Sequence, residues 1–185
     1  MRLDDLVFVT SNLGKLREAE EVLGIKLEHR ALDLQELQSL SLEEVVRDKA
    51  TAAFQRLGQP VLVEDTSLEL TGMGGFPGPL VRWMLTSVGP AGICRVASAF
   101  GDRGATVRCI ACATDGVDEV VGVGEVNGAI GMKPRGRRGF GWDSTFIPSD
   151  GDGRTYAEME EAEKNAISHR RRAFHALRRA LTGEG

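Results

Sequence analysis

Apolar and polar positions along this chain follow more than one rhythm. Leu6 to Val9 is a continuous apolar run, the pattern of a strand buried on both faces. It gives way to Thr10-Ser11-Asn12 before Leu16, Ala19 and Leu23 return at helical spacing. That order predicts strand, polar turn, helix. After a short segment through Leu32, a second helix is expected from Ser41, with Glu44 three residues on as in a capping box. Val46, Ala50, Ala53, Phe54 and Leu57 fall on one face of it, and Gly58 with Pro60 stops it. Val61-Leu62-Val63 then reads as another buried strand. The β-α-β-α-β opening predicts an α/β fold with right-handed crossovers.

Residues 70–89 are rich in glycine and proline around GMGGFPGP and read as a functional loop with a helix near Leu80 to Leu85. Residues 106–113 and 118–130 are strand-like runs separated by Asp115-Gly116, a hairpin signal, so the sheet should mix antiparallel with parallel pairs. Ile167, Phe174, Leu177 and Leu181 form an apolar stripe on a basic C-terminal helix, before which Thr155 and Glu158 have capping-box spacing. Cys109 and Cys112 lie three apart in the strand-like VRCIACAT, which points them to opposite faces. That argues against a redox turn or half of a zinc site, and leaves both, with Cys94, as core or free thiols.

Composition adds bounds. The 185 residues, 42% hydrophobic and 27% charged, are expected to form one folding unit over 1–185, with only the terminal LTGEG disordered. Lys plus Arg number 23 against 27 Asp plus Glu, a net charge of -4, which argues against coating nucleic acid. The first residues run straight into LVFVT without a basic leader, and no eighteen apolar residues stand together. A cytoplasmic protein with no membrane and no nucleic-acid partner is expected.

Candidate chemistry gathers in four places. Thr10 to Lys15, T-S-N-L-G-K, sets small polar residues and a lysine at a helix N-terminus, where free amides favour anions; the alternative is a plain helix cap. It is not a Walker A loop, and GMGG is not G-x-G-x-x-G because Pro77 takes the last place. In VLVEDTSLEL, Glu64 and Asp65 come at the end of a buried strand, where open α/β sheets hold ligands and where hard oxygen donors suit Mg²⁺ on phosphates. Alternation puts only one of them into a site. Glu36 is a second candidate metal ligand, or simply a solvated loop residue. Lys164, Ser168, His169 and Arg170 offer donors and a point charge suited to phosphate, whereas Arg171, Arg172, Arg178, Arg179, His29 and His175 are assigned no role. In GFGWD, the glycines admit a flat ligand, Phe140 or Trp142 stacks on a base for roughly 1–3 kcal/mol, and Asp143 accepts a ring N–H. An edge strand with glycine bulges is the competing reading.

Taken in order, TSNLGK, LDLQELQ, EEVVRDKA, VLVEDTSLEL with GGFPGP, GEVNGAI, GFGWD, TYAEM and EKNAISHRRRA resemble the inosine triphosphate pyrophosphatase (Ham1) family across residues 6–173. The resemblance implies an α/β fold with a long mixed sheet flanked by helices, two lobes with a nucleotide cleft between them, and a homodimer. It implies Mg²⁺-dependent hydrolysis of ITP, dITP or XTP to the monophosphate and pyrophosphate. By the same resemblance Asp65 is the acidic residue at the attacking water, Glu36 and Asp65 hold the metal, and Thr10, Asn12, Lys15, Lys49 and Lys164 bind phosphate. Phe140, Trp142, Asp143, Ser168, His169 and Arg170 form the base pocket, with a cationic Arg170 or His169 facing the 6-keto group. Ser144-Thr145 and Glu64 depart from the commoner family pattern. A Maf-like nucleotide pyrophosphatase and an inactive nucleotide sensor are the other readings.

Overall fold

In the computed structural model, which describes residues 1–183, the opening apolar run becomes β1 (Val7–Val9), buried throughout. Helix α1 (Leu13–Leu23) follows at once, then the short edge strand β2 (Glu28–Arg30) and helix α2 (Leu42–Leu57). Asn12 caps α1, its side chain accepting from the Gly14 and Lys15 amides. Ser41 caps α2 through the Glu44 amide, but the Glu44 carboxylate accepts from the Ser39 hydroxyl at 2.7 Å, so only half of the expected box forms. The nearby serine competes for the same carboxylate.

The strand expected at Val61–Val63 is β3 (Val61–Leu70), ten residues long. An antiparallel ladder with β5 (Gly104–Thr114) runs its whole length, and that pairing holds the polar stretch after Val63 extended. Glu64 and Asp65 therefore lie inside the strand and not at its end. The other edge of β3 is only partly covered. It pairs with β1 at Val61 and Leu62, and with β4 (Pro77–Gly78) at Leu68 and Glu69. Between these contacts, around Asp65 and Thr66, the edge is unpaired.

β5 and β6 (Glu119–Ile130) form the expected hairpin, with the Asp115 carboxylate accepting from the Val117 and Asp118 amides. With β7 (Phe146–Pro148) the order is β2-β1-β3-β5-β6-β7, β1 parallel to both neighbours and the remaining pairs antiparallel. Helix α3 (Val81–Ala99) outruns the short helix expected there, because Gly89, at φ 65°, lets a kinked second piece start at Pro90. The single basic helix expected at the C-terminus is two. Extended Ser168 separates α4 (Glu161–Ile167) from α5 (His169–Thr182) and caps α5 by accepting from the Arg171 amide. The Thr155–Glu158 box does form, around one 3₁₀ turn, Tyr156–Glu158. Of the terminal LTGEG, Leu181 and Thr182 are helical and Gly183 is the left-handed cap; residues 184–185 lie outside the described part.

Two lobes share the sheet. In one, α1 and α5 cover Phe8, Leu62 and Cys109 on one face while α2 covers Val61, Val63 and Cys112 on the other. In the second, α3, β7 and Tyr156 close over Leu68, Leu70, Val107 and Ile130. Cys109 and Cys112 thus occupy opposite faces, and all three cysteines are buried and free.

Candidate active site

A cleft of about 300 Å³ opens between the lobes where the edge of β3 is unpaired. Thr10, Asn12, Lys15, Glu36, Lys49 and Asp65 line it from one lobe, and Arg82, Phe140 and Trp142 from the other. Lys15 reaches in from the first turn of α1, its Nζ 2.6 Å from Glu64 Oε1 and 3.3 Å from Asp65 Oδ1. Lys49 comes from α2, with Nζ 3.7 Å from Asp65 Oδ2 and 3.6 Å from Glu36 Oε1. Arg82, at the start of α3, stands 3.4 Å from the other Glu36 oxygen. Cations and carboxylates alternate from floor to rim, with side-chain exposure rising from 16% at Lys15 to 37% at Glu36 and 74% at Arg82.

These neighbours set the charge states. Burial pushes Asp65 upward, but Lys15 and then Lys49 outweigh it and hold the carboxyl below the usual range. Burial works against the Lys15 charge, yet Glu64 and Asp65 raise its pKa well above ordinary. Among the described residues no three His, Cys, Asp or Glu side chains cluster closely enough to hold a metal by themselves. Glu36 and Asp65, which both face the Lys49 ammonium, supply the two carboxylates with which Mg²⁺ is commonly held alongside substrate phosphates and water. The donor set fits a magnesium shared with a ligand.

Alternation along β3 sends Glu64 to the opposite face, where it is 2% exposed. A second, buried set of charges lies there. The Arg170 guanidinium donates through Nε to Glu64 Oε2 at 3.3 Å and through Nη1 to Glu18. Lys164 Nζ bonds Glu18 Oε1 at 2.6 Å and Asp143 Oδ2 at 2.7 Å. Burial opposes the Glu64 charge, but Arg170 and then Lys15 drive its pKa far below normal. Asp143 goes the other way, because burial outweighs the pull of Lys164. The helix break at Ser168 makes this set possible: α4 presents Lys164 and α5 presents Arg170 to the same carboxylate, Glu18.

Phe140 separates the two sets. Its ring borders the cleft, while Lys164 Nζ stands 4.9 Å and the Arg170 guanidinium 5.6 Å from the ring centroid. A Cβ on Gly14 would fall 2.8 Å from the ring, so a larger residue there would displace it. The GFGWD stretch is a turn and not an edge strand, closed by Asp143 Oδ2 accepting from the Phe140 amide at 2.9 Å. Trp142 shows only an edge at 7% exposure. His169 packs against both the Trp142 and Tyr156 rings, with neither nitrogen bonded. Burial, then Arg170 and Lys164, push its pKa well below the ordinary imidazole value, so the cationic His169 expected from the sequence is corrected to a neutral one.

The expected residues therefore divide. Thr10, Asn12, Lys15, Glu36, Lys49 and Asp65 meet in the cleft; Lys164, expected among them, lies behind Phe140 with Asp143 and Arg170. Arg82 and Glu18 were not singled out by sequence reasoning. For Glu18 a signal existed: a lone acid beside Ala19 and Val22 on the buried face of α1. For Arg82 the signal was weaker, a cation just after the glycine- and proline-rich loop.

A two-lobed α/β protein with a charged cleft at the open edge of its central strand is the class these features define. The chain belongs to the Ham1 family, whose sequence profile matches residues 6–180. It is 43% identical over 176 residues to inosine triphosphate pyrophosphatase 2 of Trypanosoma cruzi, covering 94% of this chain and 90% of that one. A solved HAM1 protein from Coxiella burnetii superposes with a TM-score of 0.82 at 29% identity, over 97% of this chain and 99% of the other. A nucleoside-triphosphatase / dITP/XTP pyrophosphatase from Mycobacterium abscessus matches with a TM-score of 0.70 at 29% identity, covering 92% and 97%.

Proposed function

We propose that this protein hydrolyses non-standard purine nucleoside triphosphates, ITP, dITP and XTP, to the monophosphate and pyrophosphate. The observation that carries the reading is the meeting of Lys15, Lys49 and Arg82 with Asp65 and Glu36 in one cleft, walled on one side by Phe140. Relatives named for these activities support it.

In the cleft the lysines neutralise the carboxylates. A triphosphate competes for Lys15, Lys49 and Arg82, with Thr10 and Asn12 lining the same turn, and draws the cations away from the Asp65 carboxylate. Asp65 then orients a water and takes its proton as the water oxygen bonds to the α-phosphorus. The bond from that phosphorus to the bridging oxygen breaks, and pyrophosphate leaves with its charge met by Lys15, Lys49 and Arg82. Mg²⁺ held by Glu36 and Asp65 would supply further neutralisation of the phosphate oxygens.

The base is assigned to the Phe140 side. Phe140 offers stacking surface with the edge of Trp142 beside it, and Asp143, Ser168, His169 and Arg170 are the buried groups behind them assigned to reading the base. Lys164 is placed here and not on the phosphates, because it pairs with Asp143 behind the Phe140 ring. Hypoxanthine and xanthine carry a 6-keto acceptor that cationic donors match; adenine presents an amino group there, leaving buried donors unpaired. A homodimer and a cytoplasmic location complete the reading. Exposed Leu40, Phe76, Trp83 and Val88, which line one apolar groove, support the first; the free cysteines support the second. No helix among the described residues is long and apolar enough to cross a membrane.

A panel of nucleoside triphosphates with Mg²⁺, scored for pyrophosphate against orthophosphate, tests the reaction. ITP should give IMP and pyrophosphate faster than ATP gives AMP. IDP and orthophosphate as products would overturn the reading.

A further inference from the structure

The two sets of charges are joined through one side chain. Glu64 Oε1 takes the Lys15 ammonium at 2.6 Å, and Oε2 takes Arg170 Nε at 3.3 Å and the Cys109 thiol at 3.2 Å. Lys15 borders the cleft that receives the phosphates, whereas Arg170 lies behind Phe140. Cys109 faces Glu64 diagonally from β5, two residues from Ala111, the direct partner of Glu64 across the ladder, and is itself fully buried. Both Glu64 oxygens are thus committed inside the protein, and the side chain is closed to solvent. A carboxylate in that position neither binds metal from the cleft nor touches a ligand there. Its geometry fixes the separation of two cations that serve opposite ends of one substrate.

Resting on the functional reading above, we infer that Glu64 is a positioning residue that sets the register between base recognition at Arg170 and phosphorus attack at Asp65, with the Cys109 thiol holding its carboxylate in place. A purine seated against Arg170 then brings its α-phosphorus onto Lys15 and Asp65. A base that fails to seat leaves the phosphates out of line, and misplacement by about 1 Å costs on the order of 100-fold in rate. Base preference is in this way expressed in turnover as well as in binding. The buried end of the coupling is held independently of the ligand, because Glu18 grips Arg170.

Glu64→Gln keeps the shape and removes the charge that holds both cations; Glu64→Asp keeps the charge and retracts it by one methylene. Steady-state kcat and KM for ITP and for ATP, with a thermal melt of each variant, provide the test. In both variants kcat for ITP should fall about tenfold or more while ATP turnover changes little, so that the ITP/ATP ratio of kcat/KM contracts, with KM for ITP moving less than kcat. Cys109→Ala should contract the ratio in the same direction by about two- to threefold, and it supplies the comparison should either Glu64 variant fail to fold. A merely structural Glu64 would lower both nucleotides by one factor; an ITP/ATP ratio within twofold of wild type in the variants that fold overturns the assignment. Wild-type protein that releases no pyrophosphate from ITP overturns instead the functional reading on which the assignment rests.

Discussion

The charges in the cleft and the charges behind Phe140 are the same residue types in opposite physical states. In the cleft, Lys49 stands 3.6 and 3.7 Å from its carboxylates and Arg82 3.4 Å from Glu36, all with some access to water. Behind the ring, Lys164 holds Glu18 and Asp143 at 2.6 and 2.7 Å, with every partner at 6% exposure or less. Looser, wetter pairs exchange partners at little cost, which suits groups that must let go of each other to take a ligand. Desolvated pairs do not, because a buried charge that loses its partner has no water to replace it. One set is a site in waiting; the other is a frame that holds Arg170 in place while the site changes.

Cutting the frame should therefore do more to the fold than cutting the site. Glu18→Ala leaves Lys164 and Arg170 without their shared carboxylate, and urea unfolding should show a loss of about 3–5 kcal/mol. A loss below about 1 kcal/mol would erase the distinction between the regions. Asp65→Asn sits on the other side of it. Turnover of ITP should fall at least about 100-fold, equivalent to about 2.7 kcal/mol of barrier, while the urea midpoint stays near wild type and ITP still binds. Retention of a tenth of the rate would remove Asp65 from the chemistry. The smallest effect belongs to the rim: Arg82→Ala should raise KM for ITP and ATP alike by about fivefold with kcat nearly unchanged. An unaltered KM would leave the phosphates to the lysines alone.

How far the sequence led depends on the range of the forces involved. Strands β1 and β6, helices α1 and α2, and the caps at Asn12 and Ser41 were legible because each is encoded within a few residues. The extent of β3 was not, since E-D-T-S is held extended by a partner strand more than forty residues away in the chain, an order of separation that no local pattern carries. The divide between α4 and α5 was missed for the reverse reason. Arg, Ala, Glu and Lys around Ser168 all favour helix, and only the demand that Lys164 and Arg170 converge on Glu18 accompanies the break. Lys164, which the family resemblance set among the phosphate ligands, is found behind Phe140.

The inventory of this protein was written in its residues: an anion-ready helix start at Thr10–Lys15, acids at Glu36 and Asp65, an aromatic turn at Phe140–Asp143, and a cationic segment at Lys164–Arg170. The alternation of β3 even settled that Glu64 and Asp65 face apart. Which charge meets which was decided by the folded chain alone. Partners such as Glu18 and Arg170, or Lys15 and Glu64, stand far apart in sequence, and their pairing exists only once the sheet and its helices exclude water from the space between them.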